Sequence, residues 1–150
     1  MRLIFNRREM LALGAGMAGA VAFGAPQALA KNDSDEVIKK FTGGKAPAQG
    51  KIKLDLPEIA ENGNTVPMTV TVESPMTAQS HVTDVLVLAS ENPRSGVATF
   101  HFTPASGVAE ANTRIRLAST QDVIAVAKMN DGSFFIASKQ VKVTIGGCGG

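Results

Sequence analysis

The sequence predicts an all-β protein built as an antiparallel sandwich of about seven short strands. From Lys51 onward, apolar and polar residues alternate in short runs, which is the period of a strand with one buried face. Proline, glycine and asparagine separate these runs, as turn residues do between the strands of a sandwich. The chain has one cysteine and no tryptophan, so it lacks the Cys–Trp–Cys core of an antibody domain. We therefore expect an immunoglobulin-like sandwich that is not of the antibody type.

Residues 1–30 are predicted to be an export signal. The pair Arg7-Arg8 precedes an apolar run rich in glycine and alanine, and Ala28-Leu29-Ala30 forms a small-x-small cleavage pattern. The apolar run is short for a membrane span, which favours removal over anchoring. The arginine pair resembles a twin-arginine export signal. We therefore expect a periplasmic protein that begins at Lys31 after cleavage.

The charge balance changes once this signal is set aside. The first thirty residues hold three arginines and one glutamate, and the rest of the chain has twelve basic and twelve acidic residues. A neutral chain without a block of like charges does not indicate nucleic-acid binding. About 120 residues are enough for one domain with its own core.

Residues 31–50 are predicted to form a short helix and a linker. Asp33 or Ser34 can cap the helix, acidic residues fill its first turn and lysines its last turn. Gly43-Gly44 ends it, and residues 44–50 then form the linker.

The sandwich is predicted over residues 51–145. Its strands are residues 52–56, 65–72, 82–89, 97–102, 113–117, 123–129 and 133–145. Residues 61–64 are predicted as a turn, and Asp131-Gly132 is a hairpin signal.

Two of the predicted strands, at residues 85–89 and 123–127, are apolar on both faces. An antiparallel sandwich normally exposes one face of each sheet to water. Either the N-terminal segment covers the second face of these strands, or a second protein chain does.

The last five residues carry the candidate site. Cys148 is the only cysteine and has two glycines on each side: Gly146, Gly147, Gly149 and Gly150. Glycine has no Cβ, so residues 146–150 are predicted to form a flexible arm that can insert into a narrow cleft. We expect bulk at Gly147 or Gly149 to block insertion, and alanine at Gly146 to be milder.

Cys148 is the candidate for covalent substrate attachment, because the thiolate is a nucleophile. Nothing in a glycine arm supplies a base or a cation, so a carrier fits this cysteine better than a self-sufficient thiol enzyme. An odd cysteine in an exported protein also allows a different function, an interaction module that dimerises through an intermolecular disulfide.

Other catalytic and metal-binding patterns are missing from the sequence. No C-x-x-C, haem-attachment, phosphate-loop or nucleophile-elbow motif occurs. The two histidines, His81 and His101, have no ligand cluster in the sequence and are expected to face water or a hydroxyl. Arg114 and Arg116 share one strand face, which could meet an anion or an acidic partner but is expected to be solvated. We expect neither a metal site nor a cofactor.

Several stretches resemble the SoxY family, the sulfur-carrier subunits of the periplasmic thiosulfate-oxidising system. The specific motif is residues 146–150 (GGCGG), supported by residues 61–67, Asn92-Pro93 and residues 127–133. The resemblance implies that Cys148 bears cysteine-bound sulfur intermediates and that the protein itself is not the enzyme. It also implies a heterodimer with a SoxZ-like sandwich subunit. The implied enzyme partners are a haem-containing enzyme that attaches thiosulfate, a hydrolase that releases sulfate and, in some systems, a sulfane dehydrogenase.

Overall fold

The structure, a computed structural model, describes residues 33–147 as a sandwich of two β-sheets with one helix on an outer face. The predicted export signal and residues 148–150 lie outside the described residues. The elements are α1 (Ser34–Thr42), β1 (Ala48–Gln49), β2 (Ile52–Asp55), β3 (Ile59–Asn62), β4 (Val66–Val72), β5 (Val82–Ala89), β6 (Gly96–His101), a 3₁₀ turn (Pro104–Ser106), β7 (Ala109–Ile115), β8 (Gln121–Met129) and β9 (Phe134–Ile145).

The larger sheet has the order β1-β9-β8-β5-β6, with β3 also paired to β9, and the smaller sheet has the order β2-β4-β7. The seven predicted strands correspond to β2 and to β4–β9, so the all-β prediction is confirmed. Two further strands were missed, because β1 lies in the predicted linker and β3 overlaps the predicted turn. Both run parallel to β9, so the prediction of a purely antiparallel sandwich is wrong at these two pairings. The finer immunoglobulin-like topology stays a prediction.

The main core lies between the two sheets and follows from strand alternation. Along β4, Val66, Met68, Val70 and Val72 are each at most 3% exposed, while the residues between them face outward or are half-buried. The inner faces of β5 and β8 contribute further valines and alanines to the same cluster. Burial of this one continuous apolar layer is the main stabilising term for the domain.

A second apolar cluster lies on the outer face of the larger sheet, beneath helix α1. Leu86, Leu88, Val126 and Phe134 are buried there, and Val37, Ile38 and Phe41 of the helix pack against them. The rings of Phe41 and Phe134 meet edge to face with centroids 5.9 Å apart. The N-terminal segment therefore covers the second face of the doubly apolar strands, and these strands no longer argue for a partner chain at that face.

Both ends of helix α1 are fixed locally. Gly43 has a left-handed conformation (φ 63°) and ends the helix, as predicted. The predicted side-chain cap is wrong, because the Asp33 carboxylate accepts a hydrogen bond from Ser95 N–H at 3.1 Å instead. The Ser95 side chain and then its N–H lower the pKa of Asp33 below its ordinary value. Asp33 thus ties the start of the helix to the β5–β6 loop.

Within residues 33–147, no helix combines the length and the hydropathy that crossing a membrane requires.

Candidate functional site at the end of the last strand

The candidate site begins where strand β9 ends, at Ile145. Gly146 and Gly147 follow, and Cys148, Gly149 and Gly150 lie outside the described residues. Gly147 is buried, and its N–H donates a hydrogen bond to the Leu117 carbonyl at 2.9 Å. Of the predicted flexible arm, the first two glycines are therefore packed against the sandwich, and the residue before Cys148 has a fixed position.

Three segments meet at this point through main-chain hydrogen bonds. Gly63 N–H donates to the Ile145 carbonyl at 2.8 Å, and Leu117 N–H donates to the Gly63 carbonyl at 2.8 Å. With the bond from Gly147 to Leu117, the three hydrogen bonds join the β3–β4 turn, the β7–β8 loop and the chain end. We call residues 63, 117 and 147 the backbone clamp.

The clamp needs glycine because the backbones approach too closely for a Cβ. A Cβ on Gly63 would overlap the Leu117 carbonyl oxygen and lie 2.7 Å from Gly147 N. A Cβ on Gly146 would overlap the Ala118 carbonyl oxygen, and one on Gly147 would lie 2.9 Å from Gly63 O. An alanine at Gly146 would therefore disturb the fold of the chain itself, apart from any effect on insertion into a partner, for which the milder effect stays a prediction.

A buried pair of amide side chains holds the β7–β8 loop in place behind the clamp. Asn92 and Gln121 are 5% and 3% exposed. Asn92 Nδ2 donates to the Arg116 carbonyl at 2.9 Å, and Asn92 Oδ1 accepts from Ala118 N–H at 2.9 Å. These two bonds bracket Leu117, the residue that accepts the hydrogen bond from Gly147.

Gln121 completes this support from the neighbouring strand. Its Nε2 donates to Asn92 Oδ1 at 2.9 Å and to the Ser119 carbonyl at 3.0 Å. Its Oε1 accepts from Glu91 N–H at 2.8 Å. Buried amides with satisfied hydrogen bonds fix a loop, because any rearrangement leaves polar groups unpaired away from water.

The histidines lie toward the other end of the β5–β8 pair and do not join this site. His81 Nδ1 lies 3.0 Å from the Thr77 carbonyl oxygen, and His101 Nδ1 lies 2.5 Å from Asp84 Oδ1. The His101 side chain is 76% exposed and faces water as expected, with a carboxylate as its neighbour, whereas His81 contacts a carbonyl instead of the expected hydroxyl. Among residues 33–147, no group of three or more histidine, cysteine, aspartate or glutamate side chains could hold a metal ion.

The sequence reasoning missed Gly63, Leu117, Asn92 and Gln121 as members of the site. Gly63 and Asn92 were noticed only as turn residues and as parts of the family resemblance, and Gln121 and Leu117 gave no local signal. Their roles depend on long-range contacts between backbone groups, which a pattern of side chains along the chain does not show.

The fold and the site together define a class: a small β-sandwich scaffold that fixes the backbone immediately before a single terminal thiol. Within this class the chain belongs to the SoxY family, described as sulfur oxidation proteins, whose family model matches residues 38–148. The match extends to Cys148 itself.

One solved structure agrees with this assignment, and two others share the fold. The sulfur carrier protein SoxY from Chlorobium limicola f thiosulfatophilum is 32% identical, with 74% of this chain and 96% of that chain covered and a TM-score of 0.61. A superoxide reductase from Ignicoccus hospitalis is 18% identical over 62% of this chain and 79% of its own, with a TM-score of 0.57. A hypothetical protein from Pyrococcus horikoshii is 15% identical over 69% of this chain and 98% of its own, with a TM-score of 0.55. At these lower identities the likeness shows a shared fold alone. Among curated proteins, none matches this chain.

Proposed function

We propose that this protein is a covalent carrier in sulfur oxidation, with Cys148 as the attachment point for thiosulfate-derived sulfur. The observation that supports it most is membership of the SoxY family over a match that ends at Cys148. In this role the protein is the carrier, and partner enzymes supply the catalysis.

The backbone clamp suggests how the carrier presents its cargo. Because Gly147 is fixed against Leu117, the arm that we propose would begin at Cys148 and would reach roughly 10 Å over three residues. In this proposal Gly149 and Gly150 keep the inserted segment narrow, and Gly146 and Gly147 allow the close backbone contacts at the clamp. A short arm on a fixed base limits the positions that the thiol can reach and so favours productive insertion.

Family membership also implies partnership with other proteins of the Sox system. We propose a SoxZ-like subunit as a stable partner. A haem-containing enzyme, a sulfate-releasing hydrolase and a sulfane dehydrogenase are the proposed enzymes that act on the cargo. The proposed location is the periplasm, reached by the predicted signal in residues 1–30.

Intact mass measurement tests the carrier function directly. Protein purified from cells grown on thiosulfate should carry sulfur- and oxygen-containing adducts that map to Cys148, and Cys148→Ser should carry none. The stability of Cys148→Ser should stay within about 0.5 kcal/mol of the parent. A clean doubled mass that reductant removes would instead support the disulfide-linked interaction module.

A relocated thiol provides the matched control. Ser119 is exposed in the loop beside the clamp, so Ser119→Cys in the Cys148→Ser background places an accessible thiol on the sandwich instead of on the tail. We expect iodoacetamide to alkylate this thiol, and thiosulfate-dependent loading to be absent. Equal loading of the relocated thiol would refute the proposal that the tail position matters.

A further inference from the structure

Three arginines are among the residues that line one surface pocket beside the backbone clamp. The pocket has a volume of about 380 Å³ and lies between the β5–β6 loop and the end of strand β7. Arg94 comes from the loop, Arg114 lies near the end of β7, and Arg116 follows its last residue. No carboxylate side chain is among the described residues that line it.

The distribution of basic residues makes this grouping specific. The sequence has six arginines, of which three lie in the first eight residues, and the other three are the ones in this pocket. The lysines are spread over the helix and several strands instead. Because arginine presents a planar fork of donors that matches oxyanions and lysine does not, this grouping points to anion binding.

The three guanidinium groups retain free donors. Arg114 Nη1 lies 3.5 Å from Thr65 Oγ1, which is a weak contact that leaves most of its N–H groups available. Arg94 is close enough to Asp33 for its charge to act on that carboxylate, although the Ser95 hydrogen bonds have the larger effect on the pKa. Within residues 33–147, none of the three pairs directly with a carboxylate.

The pocket and the clamp share a support. Asn92 lines the pocket, and its side chain bonds the Arg116 carbonyl and the Ala118 N–H on either side of Leu117. Leu117 in turn accepts the hydrogen bond from Gly147, one residue before Cys148. The main chain of Arg116 is therefore held in a fixed relation to Gly147.

We infer that Arg94, Arg114 and Arg116 form a binding site for a sulfur oxyanion, a tetrahedral group of the sulfonate or thiosulfate type. This inference rests on the proposed carrier function for the nature of the anion. Such a group has two sources, a free ion in solution or the anionic end of an adduct on Cys148.

The free ion is tested first, on full-length protein with the Cys148→Ser substitution so that no adduct can form. Thiosulfate is titrated at constant ionic strength against chloride, while the arginine side-chain NMR signals are followed. Single Arg→Lys variants assign these signals. We expect Arg94, Arg114 and Arg116 to shift together in a saturable way.

Matched variants distinguish thiosulfate binding at the pocket from an effect of the overall charge of the protein. Arg114→Gln or Arg116→Gln should weaken thiosulfate binding about three- to fivefold, the size expected for one exposed charge pair. Lys53→Gln removes the same charge from an exposed position on β2, outside the pocket, and should leave binding unchanged. An equal loss in Lys53→Gln would overturn the inference, because the effect would then be one of overall charge.

The adduct on Cys148 is tested as the source of the anion with protein that retains this cysteine. Tetrathionate converts the Cys148 thiolate to a Cys–S–S–SO₃⁻ adduct with release of thiosulfate. Desalting then removes the released thiosulfate and the excess tetrathionate, and intact mass confirms the loading. A shift of the same arginine signals that does not depend on protein concentration assigns the site to the arm. A shift with free thiosulfate alone assigns it to the free ion.

The possible failures are distinguishable. If neither thiosulfate nor the adduct moves the arginine signals, the oxyanion site is refuted while the carrier function stands on the mass measurement. If cells grown on thiosulfate yield no Cys148 adduct but thiosulfate still binds at the arginines, the carrier function fails and the pocket remains an oxyanion site.

Discussion

An alanine at position 63 should loosen the end of strand β9 and release the base of the arm. Its Cβ would overlap the Leu117 carbonyl oxygen, so the turn or the loop must move and the three hydrogen bonds of the clamp are lost or stretched. At about 0.5–1.5 kcal/mol each, three bonds amount to about 1.5–4.5 kcal/mol. Alanine lowers the conformational entropy of the unfolded chain, which offsets about 0.4–1 kcal/mol of this loss of stability. We expect Gly63→Ala to lower the free energy of unfolding by about 1–4 kcal/mol.

Urea denaturation measures the loss of stability, and hydrogen exchange at the Gly147 amide measures the release of the arm. Gly96→Ala is the matched control, because a Cβ there has nothing within 4 Å and Gly96 does not have a positive φ. Its stability should lie within about 0.5 kcal/mol of the parent or slightly above it. If Gly63→Ala unfolds at the same urea concentration as Gly96→Ala and keeps its Gly147 amide protected, the clamp does not hold the chain end.

Three further changes probe the elements around the site. Asn92→Ala should lower the free energy of unfolding in urea by about 2–4 kcal/mol, because it leaves buried polar groups unpaired. Asn130→Ala removes a similar bridge from an exposed position and should cost less than about 1 kcal/mol, so equal losses would contradict the role given to burial. Phe41→Ala should cost about 2 kcal/mol and increase binding of the dye ANS, because it uncovers the outer apolar cluster; unchanged ANS fluorescence would count against this cover. For Asp33, the nearby Ser95 side chain and the hydrogen bond from Ser95 N–H lower the folded-state pKa below 3.8, so its contribution to stability is present above that pH and is lost as the pH falls through the lower folded value. Stability of the parent should therefore fall more steeply than that of Asp33→Asn in acid, and parallel pH profiles would refute this.

The sequence predicted those parts of the fold that depend on alternation along one strand. Strand β5 was predicted at its observed bounds, since its turn residues and its buried run are both local. Strand β3 was missed because only Ala60 of its four residues is buried, so it shows no alternation. Strand β1 has two residues and forms only because β9 offers an edge. The sequence alone did not show whether the helix or a partner chain covers the second face of the doubly apolar strands, because the answer depends on where the helix packs.

The reactive residue of the site could be predicted from the sequence, but the contacts that fix the chain just before it could not. Cys148 stands out in sequence because it is the only cysteine and is flanked by glycines. Gly147 looked like part of the same slack segment, because a glycine gives the same sequence signal whether it is free or tightly packed. The difference lies in Gly63 and Leu117, which are distant in sequence and meet Gly147 through main-chain atoms.

The cover formed by helix α1 has a consequence for the order in which the chain can fold during synthesis. Phe41 and Phe134 are in contact in the sandwich but lie 93 positions apart in the sequence, so the helix cannot dock completely until nearly the whole chain exists. Until then, the outer leucines of β5 have no cover, and contacts of such high sequence separation form slowly. A nascent chain with this surface exposed is prone to aggregate. Substitutions that weaken the helix should therefore reduce the yield of folded protein more than their effect on equilibrium stability would suggest.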